Sequence, residues 1–483
     1  MVFSSASFLF YFLPLVLLLY FVAARTIALR NLVLLAASLG FYAWGEGRFV
    51  LVMLASILAN YFFGLWVSKA HETSSAKLQI GLAIAANIAL LVYFKYTNFF
   101  VDNLNHYLPS MGLSPIAIDR VHLPIGVSFF TFHCISYLMD IYRKQTPPNR
   151  SLRELALYIS LFPQLVAGPI IRYKDIAGQL TKRAVNVERF SYGVNRFVAG
   201  LGKKVLLANT LGIPADKIFS VPLTELTAPV AWFGVLCYTL QIYFDFSGYS
   251  DMAIGLGHMF GFKFMENFNY PYISRSIREF WRRWHISLST WFRDYLYIPL
   301  GGNRRGFARV TFNLVLVFFL CGLWHGASWT FIIWGLYHGF FLGVERTRFG
   351  KWLDSAWRPV SHLYALLVFT VGWTFFRAQN LGQAMAFLKA MAGRASGDPT
   401  QWHVSVYLNP KLETIFVIAL IAMTPVVPFV NQWRQKRLER APSLVLGPGV
   451  DALVGLVAMP LILLLSCMSL ASSSYNPFIY FQF

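Results

Sequence analysis

His325 lies in Phe319-Leu320-Cys321-Gly322-Leu323-Trp324-His325-Gly326, a run that is otherwise nearly all apolar. An ionisable side chain at bilayer depth is costly and is rarely kept without a role. Histidine is also the side chain best suited to taking and returning a proton near neutral pH. The chemistry that fits this position is general base and acid catalysis, or the movement of protons. The bland alternative is a neutral buried histidine hydrogen-bonded to backbone. The neighbours favour function, because Gly326 lets a ligand approach the backbone and Trp324 is suited to wall a tunnel.

A second candidate set lies between Ser274 and Tyr297. Ile277, Phe280, Trp281, Trp284, Leu288 and Trp291 recur at helical spacing, and Arg278, Arg282, His285, Ser289 and Arg293 form a second stripe at steps of 4, 3, 4 and 4 residues. The pattern predicts one amphipathic helix, aromatic on one face and basic on the other, lying in the membrane interface. Two uses fit it. It anchors in lipid, or His285 reaches an internal chamber while an arginine meets a phosphate-bearing substrate.

Other polar groups lie in apolar surroundings. On a continuous helix Asp245 would meet Tyr249 and Ser247 would meet Asp251, so the two acids would not share a face. That favours internal hydrogen bonding over a paired-carboxylate site. His338 follows His325 by thirteen residues and would face another way on one helix. Gly326 and Ser328 predict a break there. His133, in Phe130-Thr-Phe-His133-Cys-Ile-Ser136, is a candidate for lining a chamber. His71, His106, His122, His258, His362 and His403 fall near span ends or loops and read as interfacial. Pro299 to Gly306 is glycine-rich and basic but fits neither phosphate-loop nor dinucleotide spacing. It reads as a cytoplasmic turn, with a role beside an anionic cosubstrate as the alternative.

The elements that must hold these residues follow from composition. The 483 residues are 57% hydrophobic, 17% aromatic and 13% charged, the last about half the usual share of soluble domains. Several apolar runs approach the roughly 20 residues needed to span a bilayer. The fold class is therefore an all-α polytopic membrane protein. Long apolar blocks without alternation exclude a β-barrel. The net charge of +20 fits basic loops that set topology and touch anionic lipid, and nucleic acid is excluded as a partner. Cys134, Cys237, Cys321 and Cys467 lie in apolar segments without a CxxC pair, so neither a disulfide framework nor a metal site is expected.

Candidate spans fall near 6–22, 31–45, 49–67, 78–96, 123–142, 229–262, 308–326, 328–344, 361–376, 410–428 and 449–467, for about eleven or twelve in all. No Lys or Arg precedes the first, so it reads as a retained helix and not a signal peptide. Basic residues after alternate spans place the N-terminus outside and the basic loops in the cytoplasm. The stretch Thr97 to Val121 is a weakly charged connection, and Arg434, Lys436, Arg437 and Arg440 form a basic loop. Leu155 to Ile171 is apolar but contains Pro163, Gly168 and Pro169, with basic residues on both flanks. It predicts a broken or re-entrant helix, which is tolerated at depth only when buried in protein or lining a wet cavity. There is no internal repeat. The chain reads as one domain over 1–483, with N-terminal helices in 1–150, a catalytic core in 151–345 and C-terminal helices in 346–483.

At Leu123-Pro-Ile-Gly-Val-Ser-Phe-Phe-Thr-Phe, Gln241 to Gly257, Glu279-Phe-Trp-Arg-Arg-Trp-His285-Ile-Ser-Leu-Ser, Leu323-Trp-His325-Gly and the terminal Asn476 to Phe483, the chain resembles the membrane-bound O-acyltransferases. The start, Met1-Val-Phe-Ser-Ser, also matches. The resemblance covers nearly the whole chain, is weakest at about 385–450, and points to the bacterial branch containing the membrane subunit of alginate O-acetylation. It implies a bundle of helices around a funnel that narrows to a tunnel. It implies His325 as the catalytic histidine and His285 as a second histidine of the motif set. Arg278, Arg282, Trp324 and Asp251 are the candidate substrate- or CoA-binding positions. It implies acetyl-CoA as donor with no bound cofactor, and a bacterial inner-membrane location. It also implies a periplasmic partner that takes the acetyl group on to an exopolysaccharide. Related branches move D-alanine to teichoic acids or acetylate peptidoglycan, so the acceptor stays open. A proton-coupled transporter and a recruiting scaffold are the competing classes.

Overall fold

Within hydrocarbon every backbone N–H and C=O must be paired inside the protein, which leaves long apolar blocks only the helix or the closed barrel. The computed structural model describes residues 2–69, 75–395, 397–398, 400–440, 448–472 and 475–477, and these form helices and connections with no strand. Four helical stretches are long and apolar enough to cross a membrane: Ile27–Lys69, Ala76–Met111, Phe307–His325 and Arg358–Arg377. Shorter apolar helices cover Phe8–Ala23, Trp329–Val344 and Leu456–Ser472. His71 and the terminal residues 478–483 lie outside the described residues.

Most expected spans have a helical counterpart, with shifted ends. The pair near 31–45 and 49–67 becomes Ile27–Glu46 and Val50–Lys69 on either side of a 3-10 turn at Gly47–Phe49. The fourth runs on through Ala76–Tyr107, so the first part of the supposed connection after Thr97 is helical. The span near 410–428 is two helices, Pro410–Ala422 and Val426–Arg440. Pro425 explains the break, because proline disfavours helical backbone in the residue before it. The supposed basic loop at 434–440 is the end of the second of these helices.

The segment expected to break does so. Leu152–Ser160 and Phe162–Leu165 are short helices, residues 166–172 are non-helical, and every residue from Leu155 to Ile171 is buried. Protein packs around this backbone where lipid could not satisfy it.

The centre of the molecule is the helix Ala228–Met259, buried without interruption from 237 to 257. Its 32 residues make it about 48 Å long at 1.5 Å per residue. Val187–Gly202 and Asn209–Phe219, which the apolar-run reading passed over, pack along it. The approach of Val187–Gly202 depends on two glycine pairs, spaced seven residues apart on each helix. A Cβ on Gly193 would stand 2.6 Å from the Gly255 carbonyl, and one on Gly200 would stand 2.5 Å from that of Gly248. Small residues of this kind let helix backbones meet closely in a membrane.

Charges on the central helix are paired across this contact. Asp251 receives Arg196 at 2.7 Å and Lys203 at 2.6 Å, and the buried Asp245 faces the buried Lys204. The acids thus reach the neighbouring helix, and the expected Ser247–Asp251 bond gives way to this stronger partnership. The chain's two ends meet beside the same place. Asn476 donates to the Ser4 carbonyl at 3.0 Å and accepts from Asn209 at 3.2 Å, while Lys204 also donates to the Pro477 carbonyl.

Candidate functional site

The helix Phe307–His325 ends on the candidate histidine itself, and the chain leaves it extended at Gly326. A side chain at Gly326 would run into the Phe331 ring, so the turn onto the next helix, Trp329–Val344, requires glycine. His325 is 5% exposed. Its ring is enclosed by Trp324 at 4.9 Å, Trp334 at 5.1 Å and Phe376 at 5.1 Å between centroids, drawn from three helices. Its buried Nδ1 has no hydrogen-bond partner among the described residues.

The stretch Ser274 to Tyr297 is not one amphipathic helix. It forms Ile277–Arg283 and Ile286–Phe292, with His285 between them at φ 45° and ψ 54°. A left-handed conformation at a residue other than glycine is costly and persists only where the surroundings impose it. Here Asn267 and Asn269 impose it. The Asn269 N–H donates to the Arg283 carbonyl and the Ile286 N–H donates to the Asn267 carbonyl, both at 2.9 Å, which turns the chain between them. The aromatic face packs into protein instead of lipid: Phe280, Trp281, Trp284 and Trp291 are all buried.

The same turn orients the His285 ring. Asn267 Oδ1 accepts from the Ser287 N–H at 3.1 Å and the Ser287 hydroxyl at 2.8 Å, which assigns that atom as the amide oxygen. His285 Nδ1, 3.1 Å from the same oxygen, must then carry the proton. Nε2 is left with its lone pair, buried and without a partner among the described residues. Burial holds the imidazole below the ordinary histidine pKa, so it is neutral at pH 7. The Ser287 hydroxyl in turn accepts from the Ile170 N–H at 3.0 Å, which ties this network to the non-helical segment beside Pro169.

Trp324 stands between the two histidines. Its ring is 6.2 Å from that of His285 and 4.9 Å from that of His325. Phe132 stacks on it at 5.3 Å, and Trp291 stacks on Phe132 at 3.9 Å. An apolar cavity of about 630 Å³ adjoins this stack, lined by Tyr96, Phe132, Trp291, Leu323 and Trp324 among others. His338 joins the cluster from the other side, 5.1 Å from Trp334 and 5.1 Å from Trp281, with both ring nitrogens buried and unpartnered among the described residues. The break at Gly326 folds Trp329–Val344 back on its predecessor. That is why His338, which would point elsewhere on one helix, comes close.

The remaining candidates have other contacts. Arg278 donates to the Glu345 carbonyl at 3.1 Å, and the Glu345 carboxylate receives the backbone N–H groups of Ile277 and Arg278 at 2.6 and 3.0 Å. That carboxylate thereby completes the N-terminus of the short helix. Arg282 is exposed, and Asp251 is turned to Arg196 and Lys203. His133 is buried, its ring 5.4 Å from Tyr158. Outside the spans, burial would raise the Asp294 carboxyl, but its hydrogen bond to Arg293 and the charges of Arg293 and Arg172 hold it below the usual range. The reading of the sequence missed Asn267, which carries no charge, and Lys95, whose charge inside an apolar run was a legible signal. Lys95 is buried and reaches the carbonyls of Trp324 and His325.

Two buried histidines around one tryptophan, one with its tautomer fixed, suit proton transfer in a dry site. No group of three or more His, Cys, Asp or Glu residues able to hold a metal occurs among the described residues. Residues 39–376 match the pattern of the membrane-bound O-acyltransferase family. The chain is 44% identical to the "Probable alginate O-acetylase AlgI" of Pseudomonas putida over 494 aligned residues, covering all of both chains. It is 38% identical to the "Peptidoglycan O-acetyltransferase" of Helicobacter pylori over 81% of this chain and 80% of that one. Identity to the "Teichoic acid D-alanyltransferase" of Bacillus subtilis is 29%, over 52% of this chain and 66% of that one. With its all-α, membrane-spanning architecture and a family match that encloses both histidines, the chain belongs to the membrane-bound O-acyltransferases.

Proposed function

We propose that the protein transfers an acetyl group from cytoplasmic acetyl-CoA across the membrane for O-acetylation of an exopolysaccharide, through a periplasmic partner. The site is built from His325 and His285, and the acceptor is alginate-like or cellulose-like. The observation that carries the reading is the enclosure of both histidines around Trp324, taken with the full-length similarity to a protein named alginate O-acetylase. The location is a bacterial inner membrane with a periplasmic N-terminus.

A thioester carbonyl needs a nucleophile and a place for negative charge. In the proposed reaction His325 takes the proton of an acceptor hydroxyl as the oxygen bonds to the carbonyl carbon. Charge that gathers on the carbonyl oxygen is met by nearby N–H donors. The Trp324 indole N–H is buried and without a partner among the described residues, which leaves it free for this. When the intermediate collapses the carbon–sulfur bond breaks, the thiolate takes the proton from His325, and the products are an acetyl ester and CoA. The bare lone pair on His285 Nε2 supports a role for it as the alternative acceptor of that same hydroxyl proton. Closely packed aromatic rings exclude water and so limit hydrolysis. The net charge of +20 supplies a basic surface that draws the anionic CoA portion.

The test is polysaccharide acetylation in cells carrying His325→Ala at normal abundance and insertion. Complete loss is expected. Full acetylation would remove His325 from the chemistry.

A further inference from the structure

An α-helix leaves its last four carbonyls without intrahelical partners. On the helix Phe307–His325 these belong to Gly322, Leu323, Trp324 and His325. The first accepts from the Gly326 N–H at 3.2 Å. The other three are taken by two consecutive residues of one distant helix, Ala76–Tyr107. The Tyr96 hydroxyl donates to the Leu323 carbonyl at 2.7 Å. The Lys95 ammonium donates to the Trp324 carbonyl, and to that of His325 at 3.3 Å.

Lys95 is 7% exposed, and no carboxylate neutralises it among its described contacts. A buried ammonium without a counterion is expensive. It is retained here against the negative end of a helix dipole, the electrostatic partner that favours a cation. Its third donor reaches Ser128 Oγ at 3.4 Å, so all three N–H bonds are committed and none is left for substrate. The same helix also holds the start of the next one, because Asn103 Oδ1 accepts from the Trp329 indole N–H at 2.9 Å. The connection that carries the candidate base is thus gripped on both sides of Gly326 by one helix.

We propose that Lys95 and Tyr96 are positioning residues of the acyl-transfer site. They clamp the last three carbonyls of the histidine-bearing helix and so fix where the His325 ring stands. The proposal rests on the reading of His325 as the base. Loss of the clamp lets the final turn fray and the ring wander, and a misplacement of about 1 Å can lower a rate about a hundredfold.

The test compares Lys95→Met, Tyr96→Phe and wild-type protein in nanodiscs by two readouts. The first is hydrogen exchange of the peptide spanning residues 319–328, which does not depend on activity. The second is the split between kcat and KM with acetyl-CoA. Lys95→Met is expected to raise exchange in that peptide and to lower kcat by about ten- to a hundredfold, with KM within about twofold. Tyr96→Phe is expected to do the same to a lesser degree, and it decides the matter if Lys95→Met does not accumulate. Unchanged exchange in the variant that accumulates overturns the clamp. Raised exchange with unchanged kcat, in an active wild-type background, overturns its positioning role. Wild-type protein that does not consume acetyl-CoA would sink the proposed function alone, and exchange would still decide the clamp.

Discussion

His325 and His285 are both buried, but they are held differently. His285 is fixed through its own Nδ1 by Asn267 Oδ1 at 3.1 Å. His325 is enclosed by rings, with its Nδ1 unpartnered among the described residues. The difference assigns His285 one tautomer and leaves His325 free to change its protonation during a reaction. If His285 acts as proposed, Asn267→Leu should lower the transfer rate by up to about a hundredfold, the cost of a misplacement of about 1 Å. Assay of the purified variant with labelled acetyl-CoA measures this. Wild-type rates would mean that the His285 tautomer does not matter. Arg278 is engaged with Glu345 and Arg282 is exposed, so Arg282→Ala should leave kcat within about twofold of wild type. A large loss of kcat would bring the basic stripe back into the chemistry.

At the scale of elements, the crossing of Val187–Gly202 on the central helix is the most demanding contact. Gly200 and Gly248 approach so closely that a Cβ on either meets the other's carbonyl, at 2.5 and 2.7 Å. Gly248→Val should cost about 1–3 kcal/mol, the range for overpacking a filled interior. A lower thermal midpoint in detergent checks it, and an unchanged midpoint would show that the helices can part. Long apolar runs, the broken segment at Pro163 and Pro169 and the position of His325 were all legible in the sequence, because bilayer length and proline act locally. Val187–Gly202 was not, since its charges at Glu188, Arg189 and Arg196 hide a helix whose purpose is to pack. The turn at His285 was not legible either. Its cause is hydrogen bonding from Asn267 and Asn269, residues outside the helical pattern that seemed to run through it.

The whole molecule is closed by contacts between parts distant in sequence. Lys204 joins Asp245 on the central helix to the Pro477 carbonyl near the C-terminus, and Asn476 joins that end to Ser4. Lys204 and Asp245 are 2% and 1% exposed, so removing one partner takes the main opposite charge from the other's buried group. Lys204→Met should therefore destabilise the fold by about 3–5 kcal/mol, and Lys204→Met with Asp245→Leu should recover much of that. Thermal unfolding of the single and double variants separates the two, and equal losses in both would refute the pairing argument. Ser4, Asn476 and Pro477 are thus tied to the central helix, which meets the histidine cluster through Phe246, 4.6 Å from the His285 ring between centroids.

Acyl transfer at the proposed site should depend on His325. The most direct measurement uses purified protein in nanodiscs with acetyl-CoA labelled on its acetyl group, following CoA release and transfer of label with and without the proposed periplasmic partner, for wild type and His325→Ala. Wild type should transfer label, with the partner or its polysaccharide as the acceptor, and His325→Ala should transfer none. Wild-type protein that is folded but neither binds nor consumes acetyl-CoA with partner present, or a His325→Ala variant that transfers at the wild-type rate, would contradict this.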